Sequence, residues 1–172
     1  KGNVVNSIYH YPTHQTFFSS SEKLEIGDVP FISERQKPVR NEALTYYRTV
    51  AERNQLRINS YEKVVDGHKN SNKFILTTEK QDGTITNYEA KYVIIATGYY
   101  DQPNMLHIEG EELPKVFHYF KEAHPFYQKK IVVIGGKNSA VDATLELVKA
   151  GAEVTVIYRG DSYSKSIKPW IL

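Results

Sequence analysis

An α/β fold with a Rossmann-like strand–helix–strand unit is predicted for this chain by residues 131–159, IVVIGGKNSAVDATLELVKAGAEVTVIYR. Three observations predict it. Ile131 to Ile134 form a continuous apolar run, as a strand buried on both faces requires. Gly135 and Gly136 follow at once, where the chain has to turn tightly. Val141, Leu145 and Val148 then recur at helical spacing, and Glu153 to Tyr158 supplies a second strand with Val154, Val156 and Tyr158 on one face. Asn138 or Ser139 is placed to cap the intervening helix, and Ala150-Gly151 to end it.

Such a unit binds a dinucleotide with the pyrophosphate at the helix N-terminus. The pattern expected there is G-x-G-x-x-G/A, and Gly135-Gly136-Lys137-Asn138-Ser139-Ala140 has lysine where the second glycine belongs. Lys137 costs some backbone approach and adds a cation beside the phosphates. A βαβ element that binds nothing is the plainer alternative. The end of the second strand decides the cofactor. NAD enzymes place an acid about 20 residues past the glycines to hold the ribose 2′-hydroxyl. Here the position is Arg159, whose guanidinium suits a 2′-phosphate, so NADPH is expected over NADH. Asp161 falls beyond the strand end. Lys165 and Lys168 follow and either add to that charge or belong to an ordinary solvated loop.

Composition bounds the remaining classes. The 172 residues carry 22 Lys and Arg against 20 Asp and Glu, a net charge of +2 that holds no nucleic-acid or membrane message. No stretch of about 18 apolar residues exists. No targeting segment is visible in the sequence, and a cytoplasmic location is expected. Cysteine is absent, so zinc–thiolate sites, a CxxC pair and a cysteine nucleophile are excluded within these residues. His10 and His14 lack metal spacing with any acid, and no metal site is expected.

Before the glycine unit the pattern differs. Residues 1–35 are irregular and aromatic, with Tyr9, Tyr11, Phe17 and Phe18 among Pro12, Thr13, His14 and Ser19 to Ser21. A loop so long and apolar packs against something large and flat, a flavin ring or a partner domain. Pro38 to Asn54 reads as an amphipathic helix with Ala43, Leu44, Tyr47, Val50 and Ala51 inward and Arg40, Glu42, Arg48 and Glu52 solvated. Leu56 to Val65 and Lys73 to Glu79 read as strands. Gln81-Asp82-Gly83 is a hairpin turn, and Thr84 to Glu89 the return strand. Tyr92 to Gly98 is a buried strand ending in a small-residue turn. Pro103, Gly110, Pro114 and Pro125 mark the next stretch as a connection.

These residues reach a resemblance. A buried strand ending Ala96-Thr97-Gly98, then Tyr99-Tyr100-Asp101-Gln102-Pro103, then a glycine turn in a new βαβ, resembles the two-dinucleotide-binding-domain flavoproteins. In that group an NADPH domain interrupts an FAD domain. The resemblance is closest to bacillithiol-disulfide reductases, which are similar to thioredoxin reductases. It is carried by YPTHQTFFSSSEKLEIGD, ATGYY, VFHYFKEAHP, GGKNSAVDA and YRGDSYSKSIKPWIL, which together span almost the whole chain. Lys137 is a feature of that group.

The resemblance implies parts of both domains: residues 1–105 a partial FAD domain lacking its glycine loop, 106–130 the inter-domain connection, and 131–172 the start of the NADPH domain. It implies a piece of a longer flavoprotein that passes electrons from NADPH through FAD to a small-molecule disulfide. Gly135 to Ala140, Arg159 and Lys165 would hold NADPH. Thr16, Phe17, Thr97 and Gly98 would approach FAD, although Phe17 also reads as core and Gly98 as a tight turn. His118 and His124 would lie near the flavin, or simply be hydrogen-bonded loop residues. No residue of the chain is a covalent catalyst, and any reactive cysteine would sit in the upstream FAD loop. Uncovered sheet edges would favour association of copies into a homo-oligomer. A flavin-dependent NADPH monooxygenase and a non-enzymatic NADP-binding fragment are the competing readings.

Overall fold

Alternating side chains in residues 62–90 fold as an antiparallel meander, β1 (Glu62–Asn70), β2 (Lys73–Lys80) and β3 (Ile85–Ala90), in that spatial order. The computed structural model describes residues 2–98, 100–162 and 167. The β2–β3 hairpin turns where Gln81-Asp82-Gly83 predicts. Gly83 has φ 81°, its N–H donates to Lys80 O at 3.0 Å, and Thr84 N–H donates to Asp82 Oδ1 at 2.9 Å. β1 begins at Glu62 rather than Leu56, where pairing with β2 starts opposite Lys80, and runs past the expected Val65 boundary to Asn70, because a bulge between Val64 and Asp66 absorbs the extra residue and pairing resumes.

The chain divides into two compact units, Lys1–Tyr119 and Phe120–Leu172. In the first, short helices α1 (Asn6–Tyr9) and α2 (Ser21–Leu24) precede α3 (Arg40–Arg53). Glu42 closes the start of α3 by accepting the Val39 N–H at 2.7 Å. The core is Ala43, Tyr46 and Val50 of α3 against Val29 and Phe31, with Ile8, Phe17, Leu24 and Tyr47 packed around it. Phe31 and Tyr46 stack at 4.2 Å and 6°. The buried Tyr46 hydroxyl donates to Val29 O at 2.7 Å and accepts the Ile26 N–H at 2.8 Å.

Two expectations for this unit are corrected. Arg40 is buried rather than solvated. Its Nε donates to Ile8 O at 3.1 Å and Nη1 to Asn41 Oδ1 at 2.9 Å, and the guanidinium lies over the Tyr9 ring at 5.5 Å. Backbone carbonyls and an aromatic face, rather than water, solvate the cation. Tyr92 to Gly98 does not form a buried strand. No strand is assigned there, and Tyr92, Ile94 and Ile95 are 77%, 91% and 84% exposed. A strand exists only through hydrogen bonds to a neighbour, and none of the described residues supplies one.

In the second unit β4 (Lys130–Ile134) and β5 (Glu153–Ile157) pair in parallel, Ile131 opposite Val154 and Ile134 opposite Ile157, with α4 (Asn138–Lys149) crossing between them. α4 ends in a reciprocal pair of bonds, Gly151 N–H to Val148 O at 2.9 Å and Ala152 N–H to Leu147 O at 3.0 Å, with Gly151 at φ 83°. Only one face of the sheet is covered. Ile131, Val133, Val154 and Val156 are half-buried, whereas Val132, Ile134 and Ile157 are exposed, so β4 is not buried on both faces as its apolar run predicts. The buried stripe of α4 is Ala143 and Leu147, not Val141, Leu145 and Val148. Ala143 lets the helix lie close on the sheet, and Leu147 fills the space beside it. No helix among the described residues is long and apolar enough to cross a membrane.

Candidate functional site

The glycine turn of the second unit is built by three local requirements. Gly135 has φ 143°, which β-carbon-bearing residues rarely adopt, and a Cβ on it would stand 3.1 Å from the Ala140 Cβ. The first glycine and the closing small residue of the motif therefore need each other. Gly135 N–H donates to Ile157 O at 2.9 Å, which ties the turn to the end of β5. Lys137 adopts φ −108°, ψ 179°, ordinary extended backbone, so no glycine is needed at the place where the motif usually has one.

Lys137, rather than Asn138 or Ser139, is the residue before the helix, and no side chain caps it. Asn138 and Ser139 are instead the first two helical residues. They stand at the positive end of the helix dipole, where an anion is stabilised. Gly136 has a neighbour of its own. A Cβ on it would lie 2.5 Å from the nearest atom of the Tyr158 ring, so the ring makes a close approach there. Arg159 follows Tyr158 and is exposed, as a reader of a phosphate in solvent requires. Lys165 lies outside the described residues. The turn Gly135 to Ala140 and the end of β5 are thus brought together.

In the first unit, Thr16 pairs with Val39 as an isolated antiparallel bridge, and Phe17 N–H donates to Pro38 O at 2.9 Å. Phe17 packs against the core, 6.2 Å from the Tyr11 ring. Tyr11 meets Tyr100 at 4.8 Å, and Tyr100 meets Tyr119 at 5.1 Å. The Tyr100 hydroxyl donates to His10 O at 3.2 Å, and the Tyr119 hydroxyl to Tyr100 O at 2.6 Å. Burial, with Tyr11 and Tyr119 adding, raises the Tyr100 phenol above its usual value and keeps it a neutral donor. Thr97 and Gly98 are exposed. Gly98 has φ 65° with nothing within 4 Å of its missing Cβ, so its backbone is open to a ligand.

A carboxylate that sequence reasoning missed organises the connection. Glu111 is buried and accepts the N–H groups of Leu106 at 2.8 Å and His107 at 2.7 Å, with His118 Nε2 at 3.0 Å. The Leu106 N–H, then His118, hold its carboxyl down at about 2. His118 therefore has a structural partner. Because the folded value lies below the ordinary 4.5, this carboxylate stabilises its loop fully above that range and ceases to do so as pH falls towards about 2. The amide resonances of Leu106 and His107 are expected to titrate together near pH 2 and to lose that titration in Glu111→Gln. A midpoint near 4.5 would show that the carboxylate is not held.

With this geometry established, known proteins were compared. A family model described as pyridine nucleotide-disulphide oxidoreductase matches residues 1–172. The chain is 64% identical, over 173 residues, to the bacilliredoxin reductase Bdr of Bacillus subtilis strain 168, a match covering all of this chain and 52% of that protein. The solved bacillithiol disulfide reductase Bdr (YpdA) from Bacillus cereus superposes with a TM-score of 0.97 at 63% identity, over 99% of this chain and 53% of the other. A flavin-containing monooxygenase from Stenotrophomonas maltophilia aligns at TM-score 0.74 and 22% identity, over 90% of this chain and 47% of the other, a likeness of fold alone. The chain spans about half the length of the Bdr proteins it matches.

Proposed function

Because the chain belongs to the pyridine nucleotide-disulphide oxidoreductase family, we propose that the full-length protein is an FAD-dependent enzyme that oxidises NADPH and reduces a low-molecular-weight disulfide of the bacillithiol type. The observation that carries this reading is the likeness to bacillithiol disulfide reductase along the entire chain. Residues 1–105 would be part of the FAD domain, 106–130 the connection, and 131–172 the start of the NADPH domain. A cytoplasmic enzyme acting on a small molecule, with neither nucleic acid nor membrane as partner, fits the balanced charge.

The residues present suit the two cofactors unequally. For NADPH, the Gly135–Ala140 turn would set the α4 N-terminus at the pyrophosphate, Lys137 would add a cation, and Arg159 would hold the 2′-phosphate. Lys165 completes that assignment by sequence. For FAD, the open backbone at Thr97 and Gly98 suits close approach, and Thr16 sits on a fixed bridge nearby in sequence to the aromatic cluster. Phe17 serves the core and would support that wall from behind. When bound, the nicotinamide supplies a hydride and the flavin carries its electron pair to the disulfide. The balance is NADPH, one proton and one disulfide giving NADP⁺ and two thiols. The chain holds no cysteine, so the group that meets the disulfide is not a thiol of these residues.

The test is NADPH oxidation by the full-length protein without oxygen, with and without bacillithiol disulfide. Turnover that requires the disulfide and releases thiol is expected. Oxidation that begins only when oxygen is admitted would overturn the reading in favour of an oxidase or monooxygenase, and nucleotide binding without any turnover would leave a non-enzymatic role.

A further inference from the structure

The alternation that turns Val154 and Val156 towards α4 continues to Tyr158, one step past the end of β5. There the helix has ended, and the ring meets the glycine turn instead. A Cβ on Gly136 would lie 2.5, 2.6 and 2.7 Å from Tyr158 Cδ2, Cγ and Cε2. One on Gly160 would lie 2.8, 3.0 and 3.1 Å from Cε1, Cζ and Oη of the same ring. Neither glycine has a left-handed φ, so backbone conformation does not require glycine at either place. The ring does. It is wedged between two bare α-carbons, one along each edge.

On the nucleotide reading the two contacts would lie on either side of the adenosine ribose, which carries the pyrophosphate at its 5′ oxygen and the extra phosphate at its 2′ oxygen. Gly136 belongs to the turn that faces a pyrophosphate, and Gly160 immediately follows Arg159. We infer that Tyr158 is a positioning residue: its ring sets the distance between the phosphate turn and Arg159, so that one NADPH molecule reaches both. The inference rests on the nucleotide reading above. It adds that the preference for NADPH over NADH depends on a residue that need not touch the 2′-phosphate. Gly136 and Gly160 are glycine in order to admit that residue.

In the full-length protein with FAD, Tyr158→Ala is expected to weaken NADPH binding about tenfold, a loss of about 1.4 kcal/mol, and NADH much less. Tyr158→Phe, which keeps the wedge, should bind both as the wild type does. Arg159→Ala added to Tyr158→Ala should cost little more, because Arg159 has already lost its placement. Equal losses for the two nucleotides, or unchanged NADPH binding, would overturn the positioning role. A nucleotide-free measurement tests the wedge separately. Gly136→Ala should lower Tm in the wild type and much less in Tyr158→Ala, where the ring is gone; equal lowering in both would overturn the wedge. Should the wild type bind neither NADPH nor 2′,5′-ADP while that Tm coupling holds, the nucleotide reading fails and the wedge is packing alone.

Discussion

Replacing Arg159 with alanine in the full-length protein is expected to weaken NADPH binding about 10- to 100-fold and to leave NADH nearly unchanged. The two nucleotides differ only in the 2′-phosphate. A charge-assisted hydrogen bond to such a group contributes about 1.5–3 kcal/mol, and its loss falls wholly on the ligand that carries the phosphate. Arg159 is exposed and two residues past the β5 end pinned by Gly135 N–H to Ile157 O at 2.9 Å. Its backbone is therefore held while its side chain is free to reach outward. Exposure also makes the contact salt-sensitive, so the difference between wild type and Arg159→Ala should shrink as ionic strength rises. Titration calorimetry with both nucleotides at two salt concentrations checks the assignment. Equal losses for NADPH and NADH would place the 2′-phosphate elsewhere.

The glycine turn and the helix after it were legible because each of their signals is local. Gly135 is dictated by its own φ, Ala140 by its contact with Gly135, and the helix stop at Gly151 by bonds within two turns. The Gln81-Asp82-Gly83 turn is local in the same way. What failed to show depends on partners distant in sequence. α4 carries two apolar stripes, and only the sheet beneath it selects Ala143 and Leu147 over Leu145 and Val148. Arg40 looks like any charge on a helix flank until the carbonyl of Ile8, 32 residues away, turns to meet it. Glu111 gives no signal beyond an acid after a glycine; its burial follows from the loop that folds onto it. At Gly136 the motif gives no hint of the ring of Tyr158, 22 positions later by residue number, that a Cβ there would meet.

Ile94→Asp is expected to have opposite consequences in this chain and in the full-length protein. Tyr92 to Ile95 has the composition of a strand buried on both faces, yet Ile94 and Ile95 are 91% and 84% exposed. The Bdr proteins are about twice as long as the matched span, and we propose that their remaining chain covers this segment. Burying one isoleucine contributes about 1.5–3 kcal/mol, and a carboxylate in its place adds a desolvation cost of several kcal/mol. Against a total stability of about 5–15 kcal/mol, that is enough to unfold the domain that contains it. In the full-length protein, Ile94→Asp should therefore lower Tm sharply and release flavin, read from the ratio of flavin to protein absorbance. In this chain alone the side chain already faces water, so the same substitution should leave helix content unchanged. It should also reduce any self-association through the exposed apolar segment, read by sedimentation. Retained flavin and an unaltered Tm in the full-length protein would mean that Tyr92 to Ile95 stays uncovered there too, and the segment would not be an inner strand of the FAD domain.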